Sequence, residues 1–333
     1  MTGEALHDLI VVGAGPTGIA IGARARQRNL DVLLIDRGSL AESLVGFPTY
    51  MNFFTTRDLL EIADVPFAIP HEKPTRREAL SYYRAVAELH KLPLALFENV
   101  ERILPIEDGF EVTSLSEEGL VRRRSRFVAL ATGYFHRPRK LGVPGEEQAW
   151  VSHRYLEPYG HFRQHVAVVG GGNSAAETAL DLWRNHVRVT VVHRWAEIKK
   201  TVKYWVKPDF ENRVEEGSIS TRLESTVQSF GDRCLVLATP EGPEEVEVDA
   251  AYVLVGYEPD AEMMRSCGIE VDDETLEPSC DADSCESNVR GLYVAGTLQA
   301  GRDLGRIFIE NSREHADRIV EHVAERLGVG SVP

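Results

Sequence analysis

The sequence predicts an α/β protein of two parallel-strand βαβ domains, the second inserted into the first. One observation is a succession of strand, glycine turn, helix and strand at the start of the chain; the other is its return 157 residues later. In the first copy, residues 8–12 form an apolar run and Gly13-Ala14-Gly15-Pro16-Thr17-Gly18 the turn. Residues 19–29 form the helix and residues 31–35 the second strand, which ends at Asp36. In the second copy, residues 165–169 are the strand and Gly170-Gly171-Gly172-Asn173-Ser174-Ala175 the turn. Residues 176–185 are the helix and residues 187–192 the second strand, which ends in His193-Arg194.

The remaining elements follow in order. Residues 76–90 read as a helix opened by Pro74-Thr75, and residues 111–115 and 123–131 alternate as strands. Residues 250–256 and 292–296 are further strands, the latter of fully buried type, and residues 305–327 form a long amphipathic last helix. Glycine and proline mark residues 142–145 and 256–259 as linkers. The first domain is therefore expected over residues 1–141 and 257–333, with the second over 142–256.

A length of 333 residues fits two domains. Lysine and arginine number 37 against 52 aspartates and glutamates, a net charge of −15. That balance argues against nucleic acid, which demands a basic face, and against an anionic membrane surface. No apolar run approaches the ~20 residues of a membrane span. The start, MTGEALHD, leaves no room for an export signal, so the cytoplasm is the expected compartment. Cys234, Cys267, Cys280 and Cys285 include no CxxC pair and match no strong metal pattern, so no metal is expected.

In a GxGxxG turn the first glycine makes the bend. The second lets the backbone approach a pyrophosphate, and the third lets helix and strand pack closely. Gly13, Gly15 and Gly18 fit, and Asp36 lies 21 residues after Gly15, where a carboxylate accepts the ribose hydroxyls of an adenosine. Pro16, Thr17 and Arg37 complete this candidate site. The second turn, Gly170, Gly172 and Ala175 with Asn173 and Ser174, lacks the acid. His193 and Arg194, followed by Lys199 and Lys200, suit a 2′-phosphate and so NADPH. Both domains are thus Rossmann-like. The first falls to FAD because residues 127–131 form a strand running into Thr132-Gly133, a segment that closes over the first nucleotide in flavoproteins with two such domains.

The chain length, motif order and inserted domain resemble the low-molecular-weight thioredoxin reductase family over essentially the whole chain. That family's redox CxxC is missing from Val151-Ser152-His153-Arg154-Tyr155-Leu156-Glu157-Pro158. Thioredoxin reduction, which needs an attacking and a resolving thiol, is not expected. The chain is more similar to the YpdA-type branch, the bacillithiol-disulfide reductases. The similarity lies in Phe47-Pro48-Thr49-Tyr50-Met51-Asn52-Phe53-Phe54-Thr55-Thr56, Ile62-Ala63-Asp64-Val65-Pro66-Phe67, Lys73-Pro74-Thr75-Arg76, Val202-Lys203-Tyr204-Trp205-Val206-Lys207-Pro208-Asp209, Ala300-Gly301-Arg302-Asp303 and Ile307-Phe308-Ile309-Glu310-Asn311. The resemblance implies that Thr49, Asn52 and Phe53 lie near the isoalloxazine and that Val100 meets the adenine through its backbone. It also implies that Asp303 and a helix start near Ile307 serve the ribityl and pyrimidine end, and that the protein is a homodimer.

Members of that branch often carry cysteine where this chain has Thr17, which is expected to cap its helix instead. The expected activity is transfer of a hydride from NADPH to FAD and then of electrons to an acceptor. The first acceptor is a low-molecular-weight disulfide such as bacillithiol disulfide. The alternatives are a small redox protein, as in the ferredoxin or flavodoxin reductases of this fold, and oxygen, as in a small flavin monooxygenase.

Overall fold

The computed structural model describes residues 6–329. The chain separates into two compact units. The first comprises the chain up to Val45, then Met51–Arg137 and the chain from Glu258; the second comprises Gly46–Tyr50 and Pro138–Tyr257. The breaks at 138 and 257 fall within a few residues of the glycine- and proline-marked linkers. The short excursion at Gly46–Tyr50 has no counterpart in the sequence reading.

In the first unit the strands Leu94–Ala95, Val32–Ile35, Leu6–Val12 and Gly119–Leu130 are parallel neighbours, in that order. Gly119–Leu130 outlasts its antiparallel partner Gly109–Ser116, and its last residues pair with Leu292–Val294 instead. Asn99–Ile106 closes the antiparallel edge. Side chains alternate across the sheet. Ile10, Val12, Leu33, Val128, Leu130 and Val294 pack on one face with Met264 and Leu298. On the other face the helix Pro16–Gln27 comes so close that a Cβ at Gly22 would lie 2.7 Å from Leu34 Cδ1. Thr75 opens the helix Arg76–Leu89 through a capping box: its Oγ1 accepts from Glu78 N at 3.2 Å, and Glu78 Oε2 accepts from Thr75 N at 2.8 Å.

Three boundaries differ from the sequence reading. The strand expected to reach residue 256 is Ala250–Val253, and the one expected over 292–296 is Leu292–Val294, followed by a 3₁₀ turn, Gly296–Ala300. The last helix does not begin at residue 305. Asn311 Oδ1 accepts from Phe308 N at 2.8 Å and its Nδ2 donates to Arg306 O at 2.9 Å, holding Phe308 extended. Helix therefore starts at Ile309 and runs, after a distorted turn at Arg313, through Glu314–Leu327 to a left-handed Gly328.

The second unit has a parallel sheet in the order Ser220–Arg222, Arg188–Val192, His165–Val169, Ala250–Val253, Val151–Ser152. Val166 and Val168 face the helix layer with Ala176, Leu180 and Phe210. Ala167 and Val169 face a three-stranded antiparallel sheet, packing on Phe230, Leu235 and Leu237. That sheet, Thr226–Phe230, Cys234–Thr239 and Gly242–Glu247, was not foreseen as a layer. Buried Glu146 accepts from Leu141 N, Gly142 N and His153 Nε2, each at 2.8 Å. His153 thus anchors a linker carboxylate rather than standing free for catalysis.

Candidate nucleotide sites

The first glycine turn sits at the carboxyl ends of parallel strands, where dinucleotides bind in such sheets. Gly13 has φ +110°, and a Cβ there would lie 2.5 Å from the Ala131 carbonyl oxygen. A Cβ at Gly18 would drive into the Gly13 carbonyl, whereas at Gly15 it would meet nothing within 4 Å. Only the middle glycine borders open space. Asp36 Oδ2 accepts from Ala14 N at 2.6 Å and Oδ1 from Gly38 N at 2.9 Å. The carboxylate thus fixes the turn while keeping lone pairs for a ribose. Burial pushes its pKa up, against the pull of those two amides. Arg37 beside it is exposed.

Thr132 Oγ1 is buried with no partner, and Thr132 N would be 3.0 Å from a Cβ at Gly13. An unpaired buried hydroxyl beside the glycine turn suits a ligand rich in oxygen. Gly133, at φ +62°, lies against Thr297. These features accommodate FAD.

Thr17 does not cap its helix. The N-cap is Gly15, and Thr17 Oγ1 lies 3.0 Å from Ser312 Oγ. Its hydroxyl is taken up by Ser312 instead of by an amide of its own helix. Thr17 also faces Gly296, whose N–H donates to His315 Nδ1 at 3.1 Å. His315 is 7% exposed, and burial pushes its pKa down to about 4.

The sign of the consequence follows. Above the ordinary histidine pKa of ~6.5, folded and unfolded chains both hold a neutral imidazole. As pH falls from there toward 4, only the unfolded chain takes the proton, so stability is lost. Between pH 7.5 and 5 the loss from this group is about 2 kcal/mol. Urea unfolding at both values should show His315→Gln losing that much less than the parent.

The other first-unit residues are spread more widely. Phe53 is buried at 5% exposure, and Asn52 is exposed, bridging to Thr75. Thr49 belongs to the second unit, where its N–H donates to Leu156 O at 2.7 Å, so it does not share a unit with Asn52 and Phe53. Val100 is half-buried at a register shift in its strand. Asp303 is exposed and accepts from Gly305 N at 3.1 Å, and Ile307 is buried, two residues before the helix rather than at its start.

The second glycine turn repeats the first. Gly170 has φ +144° and no room for a Cβ beside the Leu254 carbonyl; Gly172 borders open space; Ala175 is buried. The 12-residue helix Asn173–Arg184 begins there with no side-chain cap, leaving its first amides available to an anion. Lys199 N donates to Gly171 O at 2.8 Å and Lys203 N to Asn173 Oδ1 at 2.8 Å. The basic segment is thereby laced to the turn, with Asn173 as a lace rather than a free ligand, a contact that sequence spacing did not reveal. Ser174, Arg194 and Lys199 are exposed.

His193, read from the sequence with Arg194 as suiting a 2′-phosphate, is largely enclosed. It is 6% exposed, its ring fills the space where a Cβ at Gly171 would go, and its Nε2 has no partner. Burial, then Arg194 and Lys199, push its pKa down, which favours the neutral ring. Arg194 and Lys199, both exposed, are the cations that flank it.

Among the described residues no group of three or more His, Cys, Asp or Glu is placed to hold a metal, and no helix is long and apolar enough to cross a membrane. The four cysteines are unpaired, and burial raises the thiols of Cys267, Cys280 and Cys285, Cys280 to about 11. None of these three is poised as a thiolate.

Two glycine turns, one with Asp36 at the end of its second strand and the other with Arg194, are what an enzyme holding two dinucleotides needs. The chain belongs to the pyridine nucleotide-disulphide oxidoreductase family, whose model matches residues 10–296. It is an enzyme working with FAD and NADPH on a thioredoxin reductase-like fold. It is 33% identical over 320 residues to the bacilliredoxin reductase Bdr of Bacillus subtilis (strain 168), covering 95% of this chain and 97% of that protein. The structure of bacillithiol disulfide reductase Bdr (YpdA) from Bacillus cereus matches with a TM-score of 0.94 at 32% identity, covering 97% of this chain and 100% of that one. Thioredoxin reductase from T. acidophilum shares the fold alone, with a TM-score of 0.76 at 16% identity over 96% of this chain and 98% of that one.

Proposed function

We propose that the protein reduces a low-molecular-weight disulfide of the bacillithiol disulfide class at the expense of NADPH, with FAD held in the first unit and NADPH in the second. The observation that carries the reading is the contrast at the two strand ends, Asp36 at one and Arg194 at the other. When bound, FAD relays two electrons from NADPH to the acceptor. The overall change takes one disulfide, one NADPH and one proton to two thiols and NADP⁺.

The chain's own part is to bind and orient. The amides around Gly15 and the hydroxyl of Thr132 would hold the FAD pyrophosphate, and Asp36 would take the ribose. The helix start at Asn173, with Arg194 and Lys199, would hold the phosphates of NADPH. Thr17, bonded to Ser312, offers no thiol for exchange, so the acceptor is reduced without a mixed disulfide at that position. Four unpaired cysteines suit a reducing cytoplasm, and the resemblance to this branch supports a homodimer there.

The test is anaerobic. Holoprotein is reduced with one equivalent of NADPH and mixed with bacillithiol disulfide while the visible flavin absorbance is followed. Rapid return of the absorbance, with two thiols released per NADPH, is the expected result. Absorbance that stays bleached with the disulfide but returns with ferredoxin or flavodoxin overturns the choice of acceptor.

A further inference from the structure

Trp195 is 60% exposed, although an indole carries one of the largest apolar surfaces a side chain can bury. It follows Arg194 directly where the chain leaves the strand Arg188–Val192, whose end is tied to the glycine turn by Gly170 N donating to Val192 O at 2.9 Å. The backbone around it is held on both sides. His193 N donates to Arg222 O at 2.9 Å, and His193 O accepts from Ser225 N at 3.0 Å. Trp195 O accepts from Glu224 N at 3.2 Å. The Arg194 guanidinium lies over the indole, 5.3 Å from the ring centroid.

We infer that Trp195 is the platform for the adenine ring of NADPH, a role that rests on the assignment of NADPH to the second unit. With the pyrophosphate at Gly172, the adenosine ribose falls at the end of the second strand of the βαβ unit, and the base lies just beyond it. Trp195 occupies that place. The indole then does two things: it stacks on the base, and it holds the Arg194 guanidinium at the 2′-phosphate through the cation–π contact. Tyr204 and Trp205 are also exposed, but they follow Lys203, whose amide is bound to Asn173 at the helix start rather than to the strand end.

Calorimetry of the FAD-loaded protein separates the two contributions. The probes are 2′,5′-ADP, which carries the 2′-phosphate, and 5′-AMP, which does not. Trp195→Ala should weaken 5′-AMP roughly tenfold and 2′,5′-ADP by more, since the latter also loses the indole's hold on Arg194. Trp195→Phe should restore binding to within about twofold, because it keeps an aromatic face. Saturation with 2′,5′-ADP should quench tryptophan fluorescence more in the parent than in Trp195→Phe. Unchanged binding by Trp195→Ala, a loss confined to 2′,5′-ADP, or no rescue by phenylalanine overturns the platform. A parent protein that binds neither probe overturns the assignment of NADPH to this unit, and the platform with it.

Discussion

Gly18→Ala is expected to purify without flavin and to unfold below the parent protein. Its Cβ would be driven into the carbonyl of Gly13, which is itself held by Gly13 N donating to Ile35 O at 2.7 Å. Neither partner is a flexible side-chain tip. The helix start must move away from the sheet or the turn must open. Overpacking against backbone of this kind costs about 3 kcal/mol, and a midpoint lower by roughly 4 °C follows in a chain of this size. Gly15→Ala supplies the contrast. Its Cβ meets no protein atom, and its backbone is extended at φ −77°, which alanine adopts freely. The apoprotein should keep the parent's midpoint to within about 0.5 kcal/mol. The methyl group nonetheless stands where the pyrophosphate must approach, and FAD affinity should drop roughly 100-fold. The comparison needs apoproteins, because bound FAD itself raises stability by mass action. Equal stabilities for the two variants would refute the division of labour between these glycines.

The same division explains what the sequence made legible. A GxGxxG turn leaves its mark in residue identity because three positions exclude side chains for three different reasons. Thr75 was legible as the opening of its helix, whereas Glu78, which completes the capping box, was not singled out. His193 illustrates the limit. Its identity suggested a phosphate partner, but which way the ring turns depends on the absence of a side chain at Gly171, a contact across 22 residues that no local pattern records. Thr17 has the same lesson, because its partner Ser312 is 295 residues away. The delayed start of the last helix rests on the Asn311 side chain competing for the backbone of residues 306 and 308. Gly46–Tyr50 grouped with the second unit because Thr49 N found Leu156 O, a backbone pairing that leaves no trace in side-chain identity.

Arg194→Ala should raise KM for NADPH roughly 10- to 100-fold while leaving KM for NADH within about twofold. The two substrates differ only by the 2′-phosphate, so the difference isolates whatever Arg194 does for that group. With His193 buried and disfavoured as a cation, Arg194 and Lys199 remain as exposed cations that follow the end of the strand. Arg194 has the better geometry for phosphate: a planar fork gives two parallel hydrogen bonds, and the Trp195 ring holds it in place. Arg194→Lys should therefore recover only part of the loss, since an ammonium keeps the charge but not the fork. The turnover number should hardly change in either variant, because the 2′-phosphate is bound alike in ground and transition states. Salt should erode the preference for NADPH in the parent and much less in Arg194→Ala, since screening weakens only the charged contact. Equal rises in KM for NADPH and NADH would instead mean that Arg194 supports the fold of the strand end, and the recognition of the 2′-phosphate would pass to Lys199.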